Sequence, residues 1–225
     1  MKLSLLDKKL FIFDLDGTLV DAYKAIYESV NFALKKLGYK TTSFIKVKKS
    51  VGKGDRLFIR SFFPTNKIDE ALKIYRAHHK KALPLYTKIL PYAESFLDLL
   101  KKDGKITAIA SNRPRYFTNI ILERLNLKKF FNFVLCADQI GYRKPSPRIL
   151  FAIMKKFKVN RNDTVFIGDM TIDLETAKRA KVFSIFIKGG SSSVAEAKAY
   201  KNKKIFSSMK ELLNFYKRQK INQDG

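Results

Sequence analysis

Four short segments of the chain place acidic, basic and hydroxyl side chains at the end of an apolar run or a few residues beyond it. In chain order they are Asp14-Leu15-Asp16-Gly17-Thr18, Ser111-Asn112, Arg143-Lys144-Pro145 and Gly168-Asp169, the last with Asp173 four residues further on. If these segments meet, several carboxylates share one cleft with a lysine and a hydroxyl. Unpaired buried charges are costly, so such a cluster predicts a bound cation. For Asp173 an alternative stays open, because an acidic residue also suits the first turn of a following helix.

Five short apolar runs, rich in β-branched and aromatic residues, have the length and composition of buried strands. They are Leu10–Asp14, Ile106–Ala110, Phe133–Ala137, Thr164–Ile167 and Val182–Ile187. Helical patterns lie between them at Tyr92–Lys102, Tyr116–Leu125, Pro147–Phe157 and Ile172–Ala180, and an amphipathic helix closes the chain at Ser207–Lys220. This alternation predicts a parallel sheet with helices on both faces. Because ligands bind at the carboxyl ends of such strands, we expect the four polar segments to converge there.

The stretch from Val20 to Tyr86 interrupts the alternation, because it contains no strand of good quality. Its apolar residues recur at helical spacing, for example at Ile26, Val30 and Leu34. The sequence therefore predicts an α/β protein with a Rossmann-like parallel-sheet core, formed by residues 1–18 and 88–225. A small helical domain is predicted to be inserted at residues 19–87.

The composition restricts the class of protein and its partners. The 225 residues carry a formal charge of +26, but no compact basic motif is present. A generally basic surface that attracts anionic substrates is therefore favoured over a nucleic-acid footprint, which stays an alternative. No run approaches the roughly 18 apolar residues of a membrane helix. The first nine residues are too charged for a signal peptide, and the single cysteine, Cys136, permits no internal disulfide. We expect a cytoplasmic protein with no membrane partner, as a monomer or weak dimer.

The four polar segments, in this order and at these strand ends, resemble the four motifs of the haloacid dehalogenase superfamily. The resemblance is to its phosphatase branch, related to phosphoglycolate phosphatase and β-phosphoglucomutase, and it covers nearly the whole chain. The string Asp14–Thr18 is highly specific, whereas the other three motifs are specific only as a set. The resemblance implies a Mg²⁺ site built from the Asp14 carboxylate, the Asp16 backbone carbonyl and the Asp169 carboxylate. Asp173 would bind the metal directly or orient its waters.

The same resemblance implies a reaction and a role for each motif residue. Asp14 would attack the phosphorus of a phosphate monoester and form an aspartyl-phosphate, while Asp16 transfers protons to and from the oxygens involved. Asp16 separates phosphatases from the dehalogenases of the superfamily, because a departing halide needs no proton. Lys144, Ser111 and Asn112 with neighbouring backbone amides would bind the phosphate.

In relatives of this kind the helical insertion caps the active site and contacts the leaving group. The comparable segment here is Val51-Gly52-Lys53-Gly54-Asp55-Arg56, whose glycines permit close backbone approach. Lys53 and Arg56 could meet a second anionic group of the substrate. An ordinary turn with solvated charges is the equally weighted alternative.

Three functions follow as alternatives. The first is a Mg²⁺-dependent phosphatase of a small phosphorylated metabolite, of the phosphoglycolate or sugar-phosphate type. The second is a phosphomutase of the β-phosphoglucomutase type, and the third is a basic nucleic-acid-binding protein on the same fold.

Outside the motifs, Cys136 is predicted to lie in the core. His78 and His79 are predicted to face solvent, and no role beyond its charge follows for Arg113.

Overall fold

The computed structural model describes residues 4–224, so the first three residues of the charged N-terminal stretch lie outside it. The strands are β1 Leu10–Phe13, β2 Val20–Asp21, β3 Lys88–Ile89, β4 Ile106–Ser111, β5 Phe133–Cys136, β6 Thr164–Gly168, β7 Phe183–Ile187 and β8 Lys203–Phe206. The helices are α1 Tyr23–Lys36, α2 Phe44–Ser50, α3 Asp55–Ile59, α4 Ile68–Tyr86, α5 Ala93–Lys102, α6 Arg115–Arg124, α7 Ala137–Ile140, α8 Arg148–Phe157, α9 Thr171–Ala180, α10 Val194–Lys198 and α11 Met209–Asp224. Short 3₁₀ turns cover Thr65–Lys67 and Lys128–Phe130.

Six strands form one fully parallel sheet in the order β5-β4-β1-β6-β7-β8. The chain leaves β1 for one side of the sheet, at β4, and later returns to the other side, at β6. The carboxyl end of β1 is therefore a topological switch point, which is where α/β sheets bind ligands. The predicted parallel α/β core is confirmed.

Successive residues of β1 point to opposite faces of the sheet, as the pleat requires. Phe11 and Phe13 pack against Phe96 of α5, and Phe11 also contacts Tyr216 of α11. Leu10 and Ile12 belong instead to the cluster formed with α8 and α9. Helices thus cover both faces of β1. The polar residues that follow it, beginning with Asp14, lie at its carboxyl end.

The predicted strands and helices match the observed elements to within one residue at most ends, but the short strands β2, β3 and β8 and the short helices α7 and α10 were missed. The two-residue strands β2 and β3 pair antiparallel at the base of the insertion, with Val20 opposite Ile89. The expectation of no strand in that stretch is therefore wrong at its first residues. Strand β8 was missed because its sequence, Lys203-Lys204-Ile205-Phe206, lacks an apolar run. It lies at the edge of the sheet, where lysines are common because they discourage pairing with other chains.

Helices α1 to α4 lie between β2 and β3 and have an apolar cluster of their own. In it α1 packs mainly on α4, through residues such as Ile26, Val30 and Tyr75. The division into a core and a capping domain at residues 19–87 stays a prediction. Within residues 4–224, no helix combines the length and the apolar character that crossing a membrane would require.

Candidate active site

The carboxyl ends of β1, β4 and β6 and the loop before α8 bring the residues of the four motifs together around one pocket. Asp14, Asp16, Ser111, Asn112 and Lys144 all line it. Three buried carboxylates also meet here, and one oxygen from each lies within 4.8 Å of the others; they belong to Asp14, Asp169 and Asp173. The arrangement predicted from chain order alone is thus present in three dimensions.

Lys144 supplies the positive charge within this cluster. Its Nζ lies 2.7 Å from Asp14 Oδ1 and 2.7 Å from Asp173 Oδ1, with all three side chains buried. Burial lowers the pKa of Lys144, but attraction to Asp14 and Asp173 outweighs this and the pKa is raised overall. Lys144 is therefore a fixed positive charge between two carboxylates.

One ammonium does not compensate three buried carboxylates. Burial raises the pKa of Asp14 to about 7, against the opposing attraction of Lys144. Burial also raises the pKa of Asp169 well above its usual range, and the charges of Asp14 and Asp173 add to this effect. With all three carboxylates ionised, two negative charges remain uncompensated beside Lys144. This electrostatic deficit, on oxygen donors alone, fits a bound divalent cation such as Mg²⁺.

Asp169 is held by hydrogen bonds from three different parts of the chain. Thr18 Oγ1 donates to its Oδ1 at 2.8 Å, and the backbone N–H of Ser191 donates to its Oδ2 at 3.2 Å. The hydroxyl of Tyr23, from α1, donates to the same Oδ2 at 3.4 Å. The carboxylate is therefore oriented before any ligand binds.

Two glycines are needed for this close packing around Asp169. Gly17 adopts φ +84°, a conformation that glycine accepts far more readily than other residues, and a Cβ there would lie 2.4 Å from Asp169 Oδ2. A Cβ on Gly190 would lie only 1.6 Å from the same oxygen. The Gly189-Gly190 pair, which suggests only a flexible loop in the sequence, brings backbone against the carboxylate.

Ser111 and Asn112 have different surroundings. The Ser111 Oγ is buried and accepts a hydrogen bond from the backbone of Arg113 at 3.1 Å, so its own proton stays available for a ligand in the pocket. Both amide protons of Asn112 are engaged, by the carbonyl of Lys144 at 3.1 Å and that of Gly52 at 2.8 Å. Its Oδ1 accepts from the Lys144 backbone N–H at 2.8 Å. The Asn112 side chain thus fixes the loop that carries Lys144. The predicted contact between Asn112 and a phosphate would therefore be made by the backbone N–H of Asn112.

Arg113 contributes far more than its charge. Its Nε and one terminal nitrogen donate to the two oxygens of Asp16, each at 2.8 Å, with both side chains largely buried. This two-point geometry holds a carboxylate in one plane, which a lysine could not do. Sequence reasoning missed the contact, although Arg113 directly follows Ser111-Asn112 and so had to lie at the same sheet edge.

His79 does not face solvent, and that prediction is wrong. Its Nε2 lies 2.7 Å from the second terminal nitrogen of Arg113, and its Nδ1 lies 3.1 Å from Ser29 Oγ. Burial, and then the charge of Arg113, lowers the pKa of His79 well below its usual range, so the ring is neutral. Adjacent residues on a helix point in directions about 100° apart, so only one of the pair could face inward. His78 is half-buried and stacks on Phe32.

Lys53 and Arg56 are not brought together with the other site residues. Lys53 is exposed, and Arg56 forms an exposed ion pair with Asp69. The backbone of their segment does approach closely, since Gly52 accepts the hydrogen bond from Asn112. Their contact with a substrate stays a prediction. Cys136 is buried in the core, as predicted.

Comparison with known proteins identifies the family. The family described as Haloacid dehalogenase-like hydrolase matches residues 11–187. Phosphoglycolate phosphatase of Pseudomonas syringae pv. tomato is 32% identical over 192 residues, covering 81% of this chain and 70% of that protein. Phosphoglycolate phosphatase of Colwellia psychrerythraea is 30% identical over 226 residues, covering 96% of this chain and 100% of its own length.

Solved structures show the same fold. A "predicted phosphatase" from Clostridium acetobutylicum superposes with a TM-score of 0.83 at 26% identity, covering 94% of this chain and 99% of that chain. A "predicted phosphoglycolate phosphatase" from Haemophilus somnus gives a TM-score of 0.85 at 22% identity, with 93% and 98% covered. The chain belongs to the haloacid dehalogenase-like hydrolases.

Proposed function

We propose that this chain is a Mg²⁺-dependent phosphatase of small phosphate monoesters, in which Asp14 is the nucleophile and Asp16 transfers protons. The observation that carries the proposal is the buried cluster of Asp14, Asp169 and Asp173, with Lys144 2.7 Å from two of them. The relatives named phosphoglycolate phosphatase support the reaction class. A cytoplasmic location and a monomeric or weakly dimeric state remain predictions.

Mg²⁺ would be held by the carboxylates of Asp14 and Asp169 with the backbone carbonyl of Asp16, and when bound it would neutralise negative charge on the phosphate. Asp173 would act beside it or through a water. The oxygen donors present are the ligands that Mg²⁺ prefers. The held orientation of Asp169 fits such a role, because an oriented ligand needs little rearrangement to bind.

In the proposed reaction Asp14 attacks the phosphorus, so that a bond from its oxygen to phosphorus forms while the bond to the alcohol oxygen breaks. Asp16 gives a proton to the departing alcohol oxygen. A water then attacks the phosphorus of the aspartyl-phosphate, Asp16 takes its proton, and free phosphate leaves with Asp14 restored. Lys144 favours the ionised form of Asp14, against the effect of burial, and Ser111 offers a hydrogen bond to the transferring phosphoryl group.

The buried carboxylates predict an unusual pH dependence of stability. Because the pKa of folded Asp14 lies above the value of 3.8 expected when unfolded, the folded state holds the extra proton and loses stability as pH rises through about 7. We expect the metal-free protein to unfold at a lower temperature at about pH 8 than at about pH 6, with MgCl2 reversing the loss. Differential scanning calorimetry with EDTA or MgCl2 measures this.

The matched control for that measurement is Asp14→Asn, in which position 14 has no proton to lose in this range. Its unfolding temperature should change less between the two pH values than that of the wild-type protein. The proposed metal site would be contradicted if the unfolding temperature of the wild-type protein changed neither with pH nor with magnesium.

The proposed function is tested by phosphate release from p-nitrophenyl phosphate and a panel of phosphorylated metabolites, with MgCl2 or with EDTA. We expect magnesium-dependent release of free phosphate. The phosphomutase alternative is tested with a hexose 1-phosphate and a bisphosphate primer, where hexose 6-phosphate without free phosphate would identify a mutase. If no ester is hydrolysed and the protein binds duplex DNA tightly at physiological salt, the nucleic-acid alternative replaces the proposal.

A further inference from the structure

The pocket has two parts with different chemistry. Its inner part contains Asp14 and Ser111 at the strand ends and Lys144 from the loop before α8. Its outer part, here called the leaving-group chamber, is lined mainly by the insertion, through Ile26, Asp55, Phe58, Tyr75 and His79, and by Phe117 of α6. If the phosphate of a monoester lies against Asp14, its alcohol must occupy this chamber.

The chamber presents a continuous aromatic wall. The rings of Phe58 and Tyr75 lie 5.7 Å apart, Tyr75 stacks on His79 at 4.9 Å, and His79 contacts Phe117 at 5.0 Å. Because the His79 ring is neutral, this wall carries no positive charge. Apolar surface of a substrate's alcohol would be buried favourably against it.

The charged groups of the chamber are already paired within the protein. Arg113 gives two of its nitrogens to Asp16 and points the third at His79. Asp55 lines the chamber and accepts a hydrogen bond at 2.7 Å from Arg76, which does not line the pocket. Among residues 4–224, therefore, no lysine or arginine in the chamber lining is left to bind a second anionic group of the substrate.

A carboxylate placed in this chamber would be poorly accommodated. It would lose water against aromatic rings without gaining a cation, and it would lie near the negative charge of Asp55. A hydroxyl group, in contrast, could donate a hydrogen bond to the Asp55 carboxylate. The lining thus distinguishes alcohols by their charge.

We propose that the leaving-group chamber selects phosphate monoesters of uncharged alcohols, with an apolar face or a hydroxyl group, over esters whose alcohol carries a carboxylate. This inference rests on the proposed phosphatase function. It separates the chain from its relatives named phosphoglycolate phosphatase, since phosphoglycolate carries a carboxylate where this chamber has Asp55 and aromatic rings.

A matched pair of ligands tests the proposal. Hydroxyethyl phosphate and phosphoglycolate have nearly the same size, and differ in whether the alcohol ends in a hydroxyl or a carboxylate. Their inhibition constants against p-nitrophenyl phosphate hydrolysis, and their own kcat/KM values, are measured with MgCl2. We expect hydroxyethyl phosphate to be favoured at least about tenfold, although the protein's net positive charge attracts the more anionic ester. Phenyl phosphate should bind more tightly than either.

Variants assign the preference to the chamber. Asp55→Asn removes the negative charge and should reduce the ratio between the two ligands by about threefold or more. Asp69→Asn is the matched control, because Asp69 is also paired with an arginine but lies outside the pocket, and it should leave the ratio unchanged. Phe58→Ala should weaken phenyl phosphate more than hydroxyethyl phosphate.

An equal or inverted ratio for the wild-type protein would overturn the proposal. So would a Lys53→Ala, Arg56→Ala double variant that raises KM for phosphoglycolate alone, because those residues would then bind its carboxylate. Failure of the proposed phosphatase function is separately visible as an absence of p-nitrophenyl phosphate hydrolysis. In that case calorimetric titration of the same ligand pair still measures the chamber's preference.

Discussion

Asp14→Asn is expected to lower kcat by at least about a thousandfold on every phosphate monoester that the wild-type protein hydrolyses. The amide cannot attack phosphorus as a carboxylate can, and it removes one proposed ligand of the metal. Phosphate release measured at saturating MgCl2 provides the test. The effect should not depend on the leaving group, because the attacking atom is missing for p-nitrophenyl phosphate and alkyl phosphates alike.

The control is Asp21→Asn, in the same segment of the chain. Asp21 accepts a hydrogen bond from the backbone of Tyr23 and does not line the pocket, so this variant should retain most of the activity. Asp14→Asn should remain folded, because it removes a carboxylate that is costly to bury. Residual activity of Asp14→Asn within about tenfold of wild type would remove Asp14 from the nucleophile's role.

Lys144→Met is expected to reduce both activity and stability. Lys144 is 2.7 Å from Asp14 and from Asp173, so its removal leaves two buried carboxylates without their cation. Breaking a buried pair in this way costs about 3–5 kcal/mol in the free energy of unfolding. Loss of its charge from the phosphate site should also lower kcat/KM by about a hundredfold to a thousandfold.

Urea unfolding and phosphate release measure the two effects separately. The matched control is Lys102→Met, since Lys102 pairs with Asp98 on the surface, with both side chains exposed. Surface pairs contribute little, so this variant should be indistinguishable from wild type in both measurements. If the two lysine variants lose the same stability, Lys144 does not compensate the charge of the buried carboxylates.

The positions of the motif residues could be predicted because they depend on local pattern. Short apolar runs determine the strands of a parallel sheet, and the polar residues that follow them must meet at one edge. Asp14, Ser111 and Lys144 were placed correctly in this way.

The support around these residues could not be predicted, because it depends on contacts between distant parts of the chain. Tyr23 reads as one more apolar position of a helix, yet its hydroxyl reaches Asp169. Gly190 reads as part of a flexible loop, yet it lies against the same carboxylate. His79 lies at helical spacing from Tyr75 and Leu83 on the buried stripe of α4, which the sequence does show, but its contact with Arg113 depends on how α4 packs.

The lining of the leaving-group chamber could not be predicted from the sequence either. The sequence suggested Lys53 and Arg56 as groups that could meet a second anion, because basic residues beside glycines are common in anion sites. The structure pairs Arg56 with Asp69 and lines the chamber with aromatic rings instead. The proposed substrate preference depends on how the insertion packs beside the strand ends, which periodicity does not reveal.

If the phosphoryl group passes through Asp14, trapping it there is the most direct test of the proposed reaction. Asp16→Asn should slow hydrolysis of the aspartyl-phosphate, because no carboxylate is left to activate the water. After rapid acid quenching with p-nitrophenyl phosphate and MgCl2, peptide mass spectrometry should find one phosphoryl group on Asp14. The Asp14→Asn, Asp16→Asn double variant should carry none. A phosphoryl group on any other residue, or its retention in the double variant, would contradict the account.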